Sequence, residues 1–171
     1  MVQQVLINTV RILFLLLLQS LVVSRMNLFD GLILPWVYIF GILMLPFSMP
    51  SWGVMLISFC VGLMMDYLSG PMGLHASSCL VIGLVLPWVR RILAPREGYD
   101  STQRPTVQRM GLAWYLTYAS TITLAHHTWF FIVEVFRTSD LGYQLMKILL
   151  SSILSLLLMT IGQYLIYTSK N

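Results

Sequence analysis

Residues 59–78 read FCVGLMMDYLSGPMGLHASS and place a carboxylate, a Gly-Pro pair, a second glycine and a histidine between two long apolar runs. Asp66 lies at the end of the first run, where a carboxylate is costly unless it faces protein, water or a counter-charge. The glycines and the proline adopt backbone conformations that other residues resist. The stretch therefore predicts a hairpin between two membrane helices, with Asp66 and His75 close together at its mouth.

The composition predicts that most of the surface faces lipid. Of the 171 residues, 58% are hydrophobic and only 9% are charged, which is too few charges for a water-soluble surface. A membrane-spanning helix needs about 20 residues, so the length allows at most about six or seven spans. We expect a single integral membrane domain over residues 1–171. The net charge of +4 does not indicate nucleic-acid binding, because the basic residues gather in one loop.

Apolar runs separated by turn residues predict an all-α fold, a polytopic membrane protein with six transmembrane helices. The spans cover about residues 4–23, 32–46, 52–68, 74–93, 110–135 and 143–167. Trp36 and Tyr38 are expected to be interfacial aromatic residues of the second span. Small-residue pairs predict close helix packing in the third and the last span; these are Ser58 with Gly62 and Ser151 with Ser155.

The only long polar loop covers residues 94–109. Counted from the end of the fourth span, it holds five arginines: Arg90, Arg91, Arg96, Arg104 and Arg109. The positive-inside rule places this loop in the cytoplasm, so six spans put both termini there and the hairpin outside. The arginines are either topology signals or a contact for anionic lipid headgroups or a cytoplasmic protein.

Polar side chains line one face of two spans. In the first span they fall within an arc of about 80°: Gln4, Asn8, Arg11 and Gln19. This face indicates either hydrogen bonding between helices or a seam for a partner or substrate. In the fifth span a similar face contains Ser120, Thr123, His127 and Glu134, with His126 to one side.

Adjacent histidines project about 100° apart on a helix, which disfavours a shared metal ion at His126 and His127. A proton relay and hydrogen-bonded packing both remain open for them. Asp66 and His75 likewise either pass a proton or hold the hairpin together. No serine-histidine-aspartate set, HExxH motif or phosphate-binding glycine loop occurs. We therefore expect a non-enzymatic protein without a cofactor or a metal site.

The most specific pattern in the chain is D-x-x-S-G-x-x-G-L-H-A at residues 66–76. Its hairpin residues are Asp66, Ser69, Gly70, Gly73, Leu74 and His75. Together with the proline-bounded second span and the APREGY run at 94–99, this pattern resembles the MreD family of rod shape-determining membrane proteins. The resemblance covers nearly the whole chain.

The resemblance implies a non-enzymatic component of the bacterial cell-elongation complex in the inner membrane, acting in cell shape and peptidoglycan synthesis. Such a protein acts with a bitopic MreC-like protein, and indirectly with MreB, RodA and a class B penicillin-binding transpeptidase. In this interpretation, helix faces that include Arg11 and Gln19 dock the MreC-like transmembrane helix.

The MreD-like fold is similar to that of the S components of energy-coupling factor transporters, which supplies an alternative function. That alternative is a transport subunit that binds a small molecule or lipid. Its expected cavity is lined by Trp52, Asp66, His75 and His127. A protein partner would stabilise the scaffold, whereas a small molecule would stabilise the transport subunit.

Overall fold

The computed structural model describes residues 2–26, 28–70, 73–100, 103–134 and 140–167, with residues 2–5 and 167 described by backbone alone. Pro71 of the predicted hairpin and the side chain of Gln4 therefore lie outside the description. The helices are α1 (Val2–Leu21), α2 (Ile39–Leu43), α3 (Ser51–Ser69), α4 (Leu74–Ile92), α5 (Val107–Met110), α6 (Leu112–Glu134) and α7 (Leu141–Tyr167).

The described part of the chain is helical, apart from its loops and an isolated β-bridge between Leu28 and Ile33. Three helical segments are long and apolar enough to cross a membrane: Leu6–Arg25, Ser51–Ser69 and Leu141–Ile166. The predicted helical fold is therefore confirmed for the described residues, and these three segments support the predicted membrane class by their length and composition. Helices α4 and α6 reach 19 and 23 residues, but they contain more polar side chains, including two adjacent arginines in α4 and two adjacent histidines in α6.

Five of the six predicted segments coincide with the long helices α1, α3, α4, α6 and α7, whereas the segment at 32–46 does not form one helix. Its only helix is α2, whose five residues rise about 8 Å, far less than a hydrocarbon core of about 30 Å. The prediction of a helix throughout 32–46 is therefore wrong. Pro35 explains part of the difference, because proline has no N–H to donate and disfavours helical geometry in the residue before it.

Residues 34–46, which we call the strap, form the centre of the molecule. Ile39, Ile42, Leu43 and Met44 are fully buried. The strap follows α7, because Leu34 contacts Ser151 at one end and Met44 contacts Gln163 at the other. These two α7 positions are 12 residues apart, or about 18 Å along a helix axis.

Trp36 and Tyr38 are only 5% and 1% exposed, so the prediction that they are interfacial aromatic residues is wrong. Both side chains pack into the interior because their rings contact the imidazoles of α4 and α6. The apolar sequence around Trp36 and Tyr38 suits either a membrane interface or a protein core. The strap turns both rings toward the core.

Helices α3 and α4 approach each other closely at two glycines. A Cβ atom on Gly62 would lie 2.5 Å from the carbonyl oxygen of His75, and one on Gly83 would lie 2.7 Å from Cα of Met55. Both distances are shorter than real Cβ contacts allow, so any larger residue would force the backbones apart. Gly62 therefore permits the close approach expected of the small-residue pair, and Ser58 is buried beside it.

Candidate functional site

Asp66 caps the N-terminus of α4 with its carboxylate. Its Oδ1 accepts the backbone N–H of His75 at 2.8 Å, and its Oδ2 accepts those of Gly73 and Ala76, both at 2.9 Å. These donors include N–H groups of the first helical turn, which have no partner within the helix. The negative charge also lies at the positive end of the α4 dipole. Asp66 and His75 therefore meet as expected, but through the backbone of His75.

The hairpin glycines are required by their backbone angles. Gly70 has φ +96° and Gly73 has φ +94°, and no atom lies within 4 Å of a Cβ built on either residue. Side-chain space therefore does not select glycine here, whereas the left-handed backbone does. Among the other motif residues, Ser69 is exposed and Leu74 is half-buried against the core.

The His75 imidazole belongs to a second, separate network around Tyr38. The Tyr38 hydroxyl lies 3.0 Å from Nδ1 of His75 and 2.7 Å from Nε2 of His126. It also lies 3.5 Å from Sγ of Cys79. Because a hydroxyl has a single hydrogen, at most one imidazole accepts it, and at least one imidazole donates an N–H to the tyrosine oxygen. Tyr38 therefore joins the strap to both α4 and α6.

The two adjacent histidines of α6 serve different neighbours. His127 Nδ1 donates to the carbonyl oxygen of Thr123 at 2.8 Å, and its Nε2 lies 3.2 Å from Ser155 Oγ on α7. His126 instead reaches Tyr38, and the Trp36 ring contacts both imidazoles, with its centroid 5.1 Å from that of His126 and 4.7 Å from that of His127. Within the described ranges, no group of three or more histidine, cysteine, aspartate or glutamate residues is placed to hold a metal ion.

The N-terminal part of the strap is held by side chains from α1 and α7. Non-helical backbone at membrane depth is tolerated only where protein or water satisfies its polar groups. Ser151 Oγ accepts the N–H of Leu34 at 2.9 Å, and Ser155 Oγ accepts that of Trp36 at 2.8 Å. The buried Gln19 accepts the N–H of Val37 at 2.8 Å and donates to the carbonyl of Pro35 at 3.1 Å. The serine pair therefore binds the strap in addition to packing.

The C-terminal end of the strap is held by Arg90. Its guanidinium donates to the carbonyl oxygens of Leu45 at 2.6 Å and Pro46 at 3.1 Å, and also to the Tyr118 hydroxyl. The Tyr118 hydroxyl in turn donates to the carbonyl of Leu43 at 3.0 Å. Because it is only 7% exposed, Arg90 belongs to the interior and not to the basic loop in which the sequence placed it.

The other arginines of the predicted basic loop lie at the surface. Arg91, Arg96 and Arg109 are exposed, and Arg104 is half-buried. The APREGY run folds back over the C-terminal end of α4 through a turn at Gly98, which has φ +78°. This turn lets the Tyr99 ring stack on Phe47 and its hydroxyl donate to the carbonyl of Arg90 at 2.8 Å. Burial raises the pKa of Tyr99, so the hydroxyl keeps its proton at neutral pH.

The predicted polar faces of the first and fifth spans do not form one surface. Gln19 and His127 are buried, and Arg11 is half-buried within 3.5 Å of the Met44 carbonyl oxygen. Glu134 is exposed and pairs with Lys147 at 3.1 Å. Asn8 is half-buried beside a groove. Of the two interpretations left open for these faces, internal hydrogen bonding describes Gln19 and His127, whose partners are the strap, Thr123 and Ser155.

Sequence reasoning missed the interior roles of Tyr38, His126 and Arg90. One signal was available, because Pro35 inside an apolar run leaves neighbouring backbone groups without helical partners and so requires polar side chains elsewhere. The side chains that meet this requirement come from four helices, namely Gln19, Arg90, Tyr118, Ser151 and Ser155. The sequence gives no means of pairing each of them with a particular backbone group.

A long apolar groove separates α1 from α3. It consists of two cavities of about 510 and 470 Å³ that share Leu13 and Met64 in their linings. The cavity expected for a transport subunit does not form from its four predicted residues. Trp52 is 69% exposed and lies 14 residues before Asp66 on the same helix, or about 21 Å away along the axis.

No protein-family model, curated protein or solved structure matches this chain.

Proposed function

We propose that the protein is a non-enzymatic membrane scaffold of the bacterial cell-elongation complex, similar to MreD, that acts with an MreC-like bitopic protein. This proposal rests on the observation that the motif residues Asp66 and His75 form hydrogen bonds within the protein. The Asp66 carboxylate is occupied by three backbone N–H groups, and the His75 imidazole is bonded to Tyr38. These residues hold the hairpin and the strap in place, which suits a protein whose outer surface organises its partners in cell-shape control and peptidoglycan synthesis.

The proposed topology has six crossings in the inner membrane, with both termini in the cytoplasm and a fold similar to that of S components. The strap, including α2, provides the second crossing beside α7. Of the exposed arginines, Arg91 lies in the last turn of α4, Arg96 follows α4, and Arg109 lies in α5 just before α6, so they gather at one end of the bundle. An excess of arginine at one end favours the cytoplasmic side for that end.

The proposed direct partner is the MreC-like protein, whose single transmembrane helix lies in the same membrane. MreB, RodA and the class B transpeptidase are indirect partners, reached through it or through the cytoplasmic face. The three exposed arginines supply positive charge for contacts with anionic lipid or with the cytoplasmic machinery. No nucleic acid is involved in this function.

Purification from the native membrane in a mild detergent tests the proposal. The tagged protein and an unrelated polytopic membrane protein with the same tag are purified in parallel, and co-eluting proteins and small molecules are identified by mass spectrometry. We expect a single-span protein with a coiled-coil domain, accompanied by wall-synthesis enzymes. A stoichiometric small ligand, or an ATPase module with its membrane coupling subunit, would refute the scaffold and establish the transport alternative.

A further inference from the structure

The groove between α1 and α3 has helical walls on both sides and faces the lipid. On α1 its lining comes in adjacent pairs four residues apart, at 8 and 9, 12 and 13, and 16 and 17. On α3 the lining runs from Leu56 to Leu68, or about 18 Å along the helix axis. Residues four apart form the ridges that interdigitate with the grooves of a neighbouring helix. The space therefore fits one ridge of a third helix about 12 residues long.

Helix α1 is open to a further neighbour on this side. Only 22% of its most apolar window is buried inside the protein, against 39% for α3. The side of α1 that faces the strap is fixed, because Ile12 packs on Gly41 and Arg11 reaches the Met44 carbonyl. The remaining surface of α1 thus includes one wall of a preformed groove.

A polar group at the inner end of the groove distinguishes a helix from a lipid tail. Asn8 lines the groove, and its Oδ1 is buried without a hydrogen-bond partner among the described residues. An unpaired amide in an apolar setting is costly, and a hydrocarbon tail has no group with which to pair it. The protein's own atoms cover this oxygen, so a helix with a serine, threonine, asparagine or glutamine opposite Asn8 would pair it once the amide turns toward the groove, as polar residues pair between membrane helices.

We propose that this groove receives the transmembrane helix of the bitopic partner, with a polar residue of that helix opposite Asn8. This inference rests on the proposed scaffold function and adds the location and chemistry of the contact. Of the polar face predicted on the first span, Asn8 belongs to this docking surface, whereas Gln19 does not because the strap occupies it.

Site-specific photo-crosslinking in native membranes tests the location. A benzophenone amino acid is placed at Met64 inside the groove and, as a control, at Ile153 on the lipid-facing side of α7; both positions are exposed. We expect Met64 to yield an adduct whose crosslinked peptide maps to the transmembrane segment of a single-span protein, and Ile153 to yield none. Phospholipid adducts alone at Met64, or equal protein adducts at both positions, would overturn the proposal.

Groove-filling variants separate this inference from the proposed function. Leu13→Trp fills the middle of the groove, Asn8→Leu removes its polar group, and Leu149→Trp places the same bulk on an exposed face of α7. We expect the first two to reduce partner recovery about tenfold, with wild-type yield of folded protein, and the third to leave recovery unchanged. If wild-type protein retains the partner and both groove variants do too, the groove assignment fails while the scaffold stands. If wild-type protein recovers no single-span partner, the scaffold itself fails.

Discussion

Replacement of Asp66 by alanine tests the cap on which the hairpin depends. The substitution removes the acceptor for three backbone N–H groups, those of Gly73, His75 and Ala76. The N–H groups of His75 and Ala76 belong to buried residues, so water cannot replace the carboxylate there without local opening. Gly73 is exposed and its N–H can be hydrated. Two buried donors are therefore left unsatisfied.

The magnitude follows from these two donors. Each buried group left without a partner costs about 1–3 kcal/mol, so Asp66→Ala should destabilise the fold by about 2–6 kcal/mol. Asp66→Asn should cost less, because its amide oxygen can still accept the two N–H groups that now share Oδ2. The matched control is Asp140→Ala, because the Asp140 carboxylate accepts one exposed N–H, that of Tyr143 at 3.2 Å. An exposed cap of this kind contributes about 1 kcal/mol.

The assay is thermal unfolding of the purified protein in detergent, followed by tryptophan fluorescence and by the fraction that remains monodisperse on size exclusion. We expect the order of stability to be wild type, then Asp140→Ala, then Asp66→Asn, then Asp66→Ala. A change of about 3 kcal/mol in a chain of this size lowers Tm by roughly 6–12 °C. The cap would be refuted by an Asp66→Ala protein that unfolds at the same temperature as the Asp140→Ala control.

Three further substitutions test other contacts. Gly62→Ala should separate α3 from α4 and lower the free energy of unfolding by about 1–3 kcal/mol. Its control, Gly162→Ala, adds a Cβ with no atom within 4 Å and should be neutral. Equal unfolding temperatures of the two variants would argue against the close helix packing. Arg90→Ala should abolish recovery of folded protein, because it leaves buried carbonyl groups of the strap without their hydrogen-bond donor. The control Arg91→Ala should leave the yield unchanged. A normal yield from both variants would contradict the interior role of Arg90. Tyr99→Phe should lower the free energy of unfolding, measured by chemical denaturation at neutral pH, by about 1 kcal/mol. Because burial raises the pKa of Tyr99, the wild-type protein should lose this extra stability only as pH rises above about 10. Equal stability of the two proteins at pH 8 would contradict that reasoning.

The hairpin was predictable because its signals are local. Asp66, Gly70 and Gly73 lie within eight residues of one another, and their need for a cap or a left-handed backbone is a property of the residue types. The long apolar helices were predictable for a similar reason, since a run of about 20 apolar residues has few alternatives to a membrane helix.

The strap was not predictable in this way. An apolar stretch such as residues 36–45 has the same hydropathy whether it is helical or extended, and only Pro35 hints at the difference. What decides the outcome is a set of distant partners, such as Ser151, which is 117 residues from Leu34 in the sequence. The interior position of Tyr38 follows from the strap, so its contacts with His75 and His126 required the three-dimensional arrangement.

The groove was not predictable either, because its two walls are also far apart in the sequence. The pairs of apolar residues on α1 and α3 are visible in the sequence, but any membrane helix shows similar pairs on every face. Only the relative positions of the two helices show that these particular faces line a groove, with Asn8 at its end nearest the N-terminus of α1.

Thermal unfolding of the purified protein with added partner is the most direct test of the central claim that this is a scaffold for a bitopic membrane protein. The single-span protein recovered from the native membrane is titrated into the protein in detergent, and a panel of vitamin-like and lipid-like small molecules is titrated separately. Whatever binds the folded state raises its apparent Tm with concentration. We expect Tm to rise with the single-span protein and to remain constant with the small molecules. A rise with a small molecule, and none with the single-span protein, would contradict the scaffold function.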